Sequence, residues 1–397
     1  MSQPFDVTCV VPRNGRILMN FLNKLKLLGA PASEIEAIID VLKKSKAQSG
    51  NDLGSLQKFL VESHNEAPAC FSIFIDRKRE QRPYRVGFLG YDWAIGDIHL
   101  RVEGEEPHNG SSLIKLDEVD FAVVGLDELL AMTQYYLNNP TSVTKWGMYN
   151  YNVDKPTGIR VAGSANLTSF NKSLQMDVQD MVGFFLISRN SRRRSGKAEA
   201  SELKYDLEYL SRAGQRVFVK GRYTGIVTAA YPGLKLISVE NVEDSVLNSE
   251  KGSVGIEIVQ SGNTLREKEL FMHGKPLFLS ESLYVVDYDR YNHNEALRRL
   301  IKYLKPSGYF EETRIEHFAR WYYALEKNLG DRWVDRPAID DLFCEPGEIE
   351  NGLRPYRLKT RYWKPDDKYQ QDAARQLAFE SKHQVRQHYE ALVSRGA

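Results

Sequence analysis

The residues best suited to chemistry lie in one stretch, Gly252 to Glu267, reading GSVGIEIVQSGNTLRE. Its first half is an apolar, β-branched run and its second half is charged and helix-forming, with Ser261-Gly262-Asn263-Thr264 joining the two. Such a strand–turn–helix can hold a phosphate. The first N–H groups of a helix have no intrahelical acceptor and stand at the positive end of its dipole, so an anion collects several donors there. Gly262 admits close approach of the backbone, and Ser261 and Thr264 add hydroxyls. Glu257, four residues before Ser261, can accept hydrogen bonds from sugar hydroxyls. The same residues would also serve a plain strand–turn–helix with Ser261 as its N-cap.

Other chemistry finds little support in the residues. The eight histidines form no HExxH or mixed cluster of metal-ligand spacing, and neither a GxSxG nor a GxxxxGK[ST] motif occurs. Cys9, Cys70 and Cys344 are odd in number, far apart and without CxxC spacing. That argues against a disulfide framework or zinc site and for a reduced, cytoplasmic setting. With 54 Lys and Arg against 53 Asp and Glu, the formal charge of +1 supplies no long-range field to gather nucleic acid or a membrane surface. Neither is expected as a partner. The N-terminus, MSQPFDVTCVVPRNGR, lacks a basic segment followed by an apolar one, and no run approaches the roughly 20 apolar residues of a membrane span. The basic stretch 188–197, SRNSRRRSGK, is a candidate for phosphate or RNA contact, but with no interleaved aromatic residues for base stacking it reads first as a solvated loop.

The elements that must position the turn are α/β in pattern. Residues 5–11 form a short β-branched strand ending at Pro12, and the apolar spacing from Leu18 to Leu28, closed by Gly29, predicts a helix over 16–28. Residues 33–62 read as helix broken by Gly50 and Gly54, and Phe71–Ile75 as a strand. The alternating, glycine-rich segment 82–113 suggests hairpins of an inserted region. Asp120–Gly125 is a strand running into a helix start at Leu126, with Asp127 and Glu128 where the dipole favours acids. Residues 137–180 read as irregular strands and turns. Phe184–Ile187, Arg216–Lys220 and Lys235–Val239 are further strands, and the alternation predicts a sheet covered by helices.

In order along the chain, five segments resemble the ATP phosphoribosyltransferase family that opens histidine biosynthesis. Ile256–Leu265 is similar to the family's acidic strand running into a Val-x-(Ser/Thr)-Gly-x-Thr-Leu loop. Val10–Arg16 resembles its N-terminal strand and Gly-Arg turn, and Asp120–Leu129 its Asp-x-Gly-x-x-Gly-x-Asp-x-Leu crossover. Asn241-Val242-Glu243 resembles its Gly-Ser-Val-Glu segment, and Ser282–Leu304 its closing strand and helix. The resemblance spans about 5–304 and implies a bilobal, periplasmic-binding-protein-like (type II) α/β core with 5-phosphoribosyl diphosphate (PRPP) between the lobes. It implies attack by N1 of ATP, or of a related nitrogen heterocycle, on the anomeric carbon with release of diphosphate. Mg²⁺ would be held through the substrate phosphates, with no protein ligands assigned. Ser261, Gly262, Asn263 and Thr264 would hold the 5-phosphate, Glu257 would face the ribose hydroxyls, and Glu243 would bind PRPP at or behind the ribose or else serve in a buried structural pair. Arg16, with Arg13, would meet the diphosphate or the ATP phosphates, a role suited to the planar guanidinium fork. A homo-oligomer is expected. The alternative is a non-catalytic ligand-binding or regulatory paralogue that keeps the bilobal cleft.

The sequence departs from the family in four places. Glu257 stands for the usual Asp and Ala122 for a glycine, and the interval 30–119 is long enough to include insertions. Within that interval Arg77, Lys78 and Arg79 are candidates for phosphate contact or for a solvated turn. The resemblance divides the chain into lobe I, residues 1–127 and 265–304, and lobe II, residues 128–264. The fourth departure is 305–397, which reads as a mostly helical extension. There His317, Phe318, Trp321, Tyr322 and Leu325 form a helical stripe best used as core, and 366–394 a charged amphipathic helix.

Overall fold

Strand β1, Val7–Pro12, is almost wholly buried and its chain turns directly into α1, Arg16–Leu27. The computed structural model describes residues 5–48, 52–63, 67, 69–75, 83–105, 118–129, 131, 159–165, 182–189, 207–231, 233–250, 252–280, 282–304 and 321–338. Leu18, Phe21, Leu22 and Leu25 line the buried face of α1 at helical spacing. The helix ends where Gly29 takes φ +104°, and the N–H groups of Gly29 and Ala30 bond back to Lys26 and Leu25. This double closure satisfies the last carbonyls of the helix. Helices α2 (Ala32–Gln48) and α3 (Leu53–Ser63) follow, then β2 (Cys70–Ile75), β3 (Tyr84–Ile95), β4 (Ile98–Glu105), β5 (Phe121–Gly125), β6 (Ile159–Ser164) and β7 (Val182–Ser188). The remaining elements alternate: α4 (Leu207–Arg212), β8 (Arg216–Lys220), α5 (Thr224–Ala230), β9 (Lys235–Val239), α6 (Val242–Asn248), β10 (Val254–Val259) and α7 (Asn263–Glu267). β11 (Phe271–Ser280), β12 (Ser282–Asp287), α8 (Tyr288–His293), α9 (Glu295–Leu304) and the two-residue β13 (Trp333–Val334) complete them.

The chain is mixed α/β, as expected, and its strands form two separate sheets, ordered β2-β3-β4-β1-β5-β12-β6 and β13-β11-β7-β10-β8-β9. Each sheet belongs to its own unit, one made of residues 1–132, 138–180 and 281–308, the other of 133–137, 181–280 and 309–397. In the first unit β1 runs parallel to both β4 and β5, and β12 returns antiparallel to β5. Its core includes Phe21, Phe121 and Tyr284, packed edge to face with ring centroids 6.2 and 6.3 Å apart. In the second unit Phe185, Ile187, Val242, Val246, Val259 and Leu265 share a core with Trp321, Tyr322, Leu325 and Trp333. Those residues of the expected helical stripe are core, whereas His317, Phe318 and the segment 366–394 lie outside the described residues.

Two boundaries differ from expectation, each because strand pairing overrides chain order. Residues 265–280 were expected in lobe I, but β11 pairs antiparallel with β7 and stays in the second unit. β6, expected in lobe II, pairs with β12 in the first sheet. The alternating segment forms the expected hairpin, β3–β4, and its second strand lies beside β1, in register from Val7 with Leu100 to Pro12 with Glu105. A periodicity shows that a run is a strand; which sheet it joins depends on partners remote in sequence. Among the described residues no helix is long and apolar enough to cross a membrane.

Candidate functional site

In the second unit β9, β8 and β10 run parallel, so all three release their following turns at one sheet edge. Such carboxyl ends are where open α/β sheets take ligands. β8 ends in Lys220-Gly221-Arg222, β9 leads to Asn241-Val242-Glu243, and β10 leads to Gln260–Thr264. β10 is also the place where the sheet changes sense, because its other neighbour, β7, is antiparallel and sets Phe185 opposite Glu257.

Glu257 is brought to this edge by alternation along β10, which puts it on one face with Gly255 and Val259. Gly255 matters for its missing side chain. A Cβ there would lie 2.4 Å from Val242 Cγ1 and 2.9 Å from Val246 Cγ2. Its absence lets α6 close on the sheet. The Asn241 side chain caps α6 by accepting from the Asp244 N–H at 3.0 Å, and Glu243 stands in the first turn. The Glu257 side chain is 8% exposed, and its Oε1 accepts from the N–H of Ile258 at 2.9 Å. Its Oε2 is buried with no hydrogen-bond partner among the described residues. Burial and then the neighbouring Glu243 carboxylate push its pKa up to about 7, against the opposing pull of Lys220, the Ile258 N–H and Arg222. A buried carboxyl oxygen left without a donor costs about 1–3 kcal/mol, which a ligand hydroxyl would recover.

The turn after β10 has the shape expected of it. Gly262 takes φ +73°, the left-handed region open to glycine, and precedes α7 as its cap residue. The cap position of α7 is taken by Gly262, one residue later than the alternative reading of Ser261 as N-cap. Asn263 and Thr264 are exposed and Ser261 half-buried, whereas Leu265 is buried and pins α7 to the core. The Gly262 carbonyl accepts from the Arg266 N–H at 3.0 Å. The N–H groups of the first turn have no carbonyl four residues back within the helix.

The structure brings Glu257, Glu243 and Ser261–Thr264 together in one unit. Arg13 and Arg16 belong to the other. Arg16 is exposed at the first position of α1. Arg13 is engaged in packing: its guanidinium carbon lies 4.0 Å from the Phe74 ring centroid. Its stem passes Gly87 and Gly104, where an added Cβ would come within 3.1 and 3.0 Å of it. Asp127 is buried at 8% exposure in the helical residues 126–129 that follow β5, and Ala122 is fully buried within β5. Arg77, Lys78, Arg79 and residues 190–197 lie outside the described residues. Among the described residues no group of three or more His, Cys, Asp or Glu is placed to hold a metal ion.

Sequence reasoning missed Lys220 and Arg222, the cations beside Glu257, although a basic-Gly-basic turn directly after a strand was a readable signal. It also missed Asn328. The Nδ2 of that residue donates to the Ser261 carbonyl oxygen and, at 2.8 Å, to Asn263 Oδ1. Nothing local to Asn328 announces that role.

No family model matches the chain, and no curated protein sequence does. Among solved structures it is similar to an ATP phosphoribosyl transferase (HisG:HisZ) complex from Thermotoga maritima, at 12% identity and a TM-score of 0.37, over 75% of this chain and 96% of that one. It is similar to the Candida albicans CA3427 gene product, of the generic periplasmic binding protein fold, at 11% identity and 0.31, over 70% and 86%. It is also similar to holo ArgBP from T. maritima at 15% and 0.29, over 53% and 75%.

Proposed function

We propose that this protein is a phosphoribosyltransferase that binds PRPP at the carboxyl edge of β8, β9 and β10 and moves its 5-phosphoribosyl group to N1 of ATP or of a related nitrogen heterocycle. The observation that carries the reading is Glu257, a buried carboxyl with one oxygen that has no donor among the described residues, flanked by Lys220, Arg222 and Glu243. A ribose 2′- or 3′-hydroxyl is the kind of donor that oxygen lacks, and hydrogen bonding to it favours the carboxylate form. The 5-phosphate is assigned to the loop, where the hydroxyls of Ser261 and Thr264 and the N–H groups of Gly262, Asn263 and Thr264 offer donors. Lys220 and Arg222 offset the negative charge gathered there.

In the reaction the acceptor nitrogen's lone pair forms the new bond to the anomeric carbon as the carbon–oxygen bond to diphosphate breaks. The electron pair leaves on diphosphate, and the acceptor's surplus proton passes to solvent. Catalysis of this type rests on positioning and on stabilising the departing charge. Arg16 is proposed to meet a phosphate of either substrate through its fork at the start of α1; Arg13, held against Phe74, is the weaker candidate for that task. Mg²⁺ is proposed to be held through the substrate phosphates, with no protein ligand assigned, where it would offset the charge that builds on the departing diphosphate. A homo-oligomeric assembly belongs to the same proposal.

The test is to incubate the protein with PRPP, Mg²⁺ and a panel of nucleotides and nitrogen heterocycles while following diphosphate release. Release with one acceptor supports the enzyme. PRPP binding without release from any acceptor would point to a regulatory paralogue, and no PRPP binding at all would sink the reading.

A further inference from the structure

We propose that the helical segment 321–329 positions the ligand loop, with Asn328 as its positioning residue. The inference rests on the reading of Ser261–Thr264 as the donor-binding loop, and it concerns a part of the chain beyond the stretch that carries the family resemblance.

Three observations lead to it. First, one amide group serves both sides of the turn: Asn328 Nδ2 donates to the Ser261 carbonyl oxygen and to Asn263 Oδ1, the two residues flanking Gly262. The amide has two N–H bonds, one for each acceptor. The contact fixes the peptide entering Gly262 and also occupies the Asn263 side chain. Second, the neighbouring Leu329 fills the space over Gly262, where an added Cβ would lie 2.8–3.0 Å from its Cγ and two methyl carbons. Leu329 is itself only 4% exposed.

Third, the segment is itself held firmly. Trp321 lies stacked against Phe185 at 6.2 Å, and Trp333 meets the same ring edge-on at 5.7 Å. The Tyr322 hydroxyl donates to the Pro337 carbonyl at 2.7 Å, and Trp333 Nε1 donates to the Gly274 carbonyl at 2.8 Å. β13 adds to the sheet beside β11. Phe185 stands opposite Glu257 on the adjoining strand, so the residue that seats this segment neighbours the carboxyl proposed to meet the sugar. A turn of four exposed or small residues has little of its own to hold its N–H groups in one direction. A well-packed helix above it supplies that constraint before ligand arrives, which reduces the ordering cost of binding.

The experiment uses the full-length chain with Asn328→Asp, which keeps shape and loses both N–H donors, and Asn328→Ala. Amide hydrogen exchange over 260–266 is measured without ligand, and PRPP and ATP affinities are measured by calorimetry. Both variants are expected to melt close to the wild type. They should exchange the loop amides about tenfold faster and bind PRPP about 5–10-fold more weakly, with ATP affinity unchanged. Unchanged loop exchange in both variants overturns the inference, as does unchanged PRPP affinity where the wild type binds PRPP. If the wild type binds no PRPP, the donor reading fails, and faster exchange still upholds the positioning role.

Discussion

Glu257 and Glu243 are two carboxylates brought side by side by the close packing of α6 on β10, and their mutual repulsion adds to burial in holding the Glu257 proton to about pH 7. The pair exists because Gly255 has no side chain. It also makes the candidate site sensitive to pH in a direction that can be stated.

The ordinary value for such a carboxyl is 4.5. Between that value and about 7 the unfolded chain has released the proton and the native protein has kept it. Stability falls as pH rises through this window, by at most about 3 kcal/mol, and levels off above it. Glu257→Gln removes the decline. Urea titrations are therefore expected to find the variant and wild type alike near pH 5 and the variant the more stable at pH 8. An equal difference at both values would contradict the assignment.

PRPP affinity should run the other way. A carboxylate accepting hydroxyl hydrogen bonds binds best deprotonated, so affinity is expected to rise from pH 6 to 8 in the wild type and to stay flat in Glu257→Gln. Lys220→Met removes a charge that lowers the Glu257 pKa and should move the midpoint of that rise to higher pH. Calorimetric titration across the range checks both; a midpoint that moves down would remove Lys220 from the site.

Thr264→Ala is expected to weaken PRPP binding by about 1–3 kcal/mol if its hydroxyl donates to the phosphate. Because Thr264 is exposed, the melting temperature should hardly change. An unaltered dissociation constant would count against the loop as the phosphate site.

Gly255→Ala would set a methyl group against Val242 and Val246. Overpacking of this kind costs about 1–3 kcal/mol, visible as a lower thermal midpoint. PRPP affinity should fall with it, since α6 carries Glu243. A variant as stable as the wild type would show that α6 can shift without cost.

Trp321→Ala empties a fully buried position against Phe185, and large-to-small changes of this type cost about 3–5 kcal/mol. Denaturant unfolding should register that loss, and the loop amides should lose protection with it, since Asn328 sits two turns further along the same segment. Loss of stability with loop protection intact would separate the segment's packing role from its hold on the turn.

The residues of this chain by themselves determined the local units. Periodicity in Leu18–Leu28, the β-branched runs of β1, β5, β8, β9 and β10, and the strand–glycine–helix sequence around Gly262 each contain their own signal, because propensity and alternation act over neighbouring residues. They also brought forward Glu257 and Ser261–Thr264. Tertiary structure alone decided how those units pair. β11 joins β7, β6 joins β12, and β4 lies beside β1 through hydrogen bonds between strands whose separation no local pattern encodes. The same holds for the site's surroundings. Glu257 becomes a buried, half-satisfied carboxyl only when α6 closes over Gly255, and the turn is held only when Asn328 arrives from 65 residues along the chain. Burial and electrostatic coupling are properties of neighbours in space, and they appear only once the chain has folded.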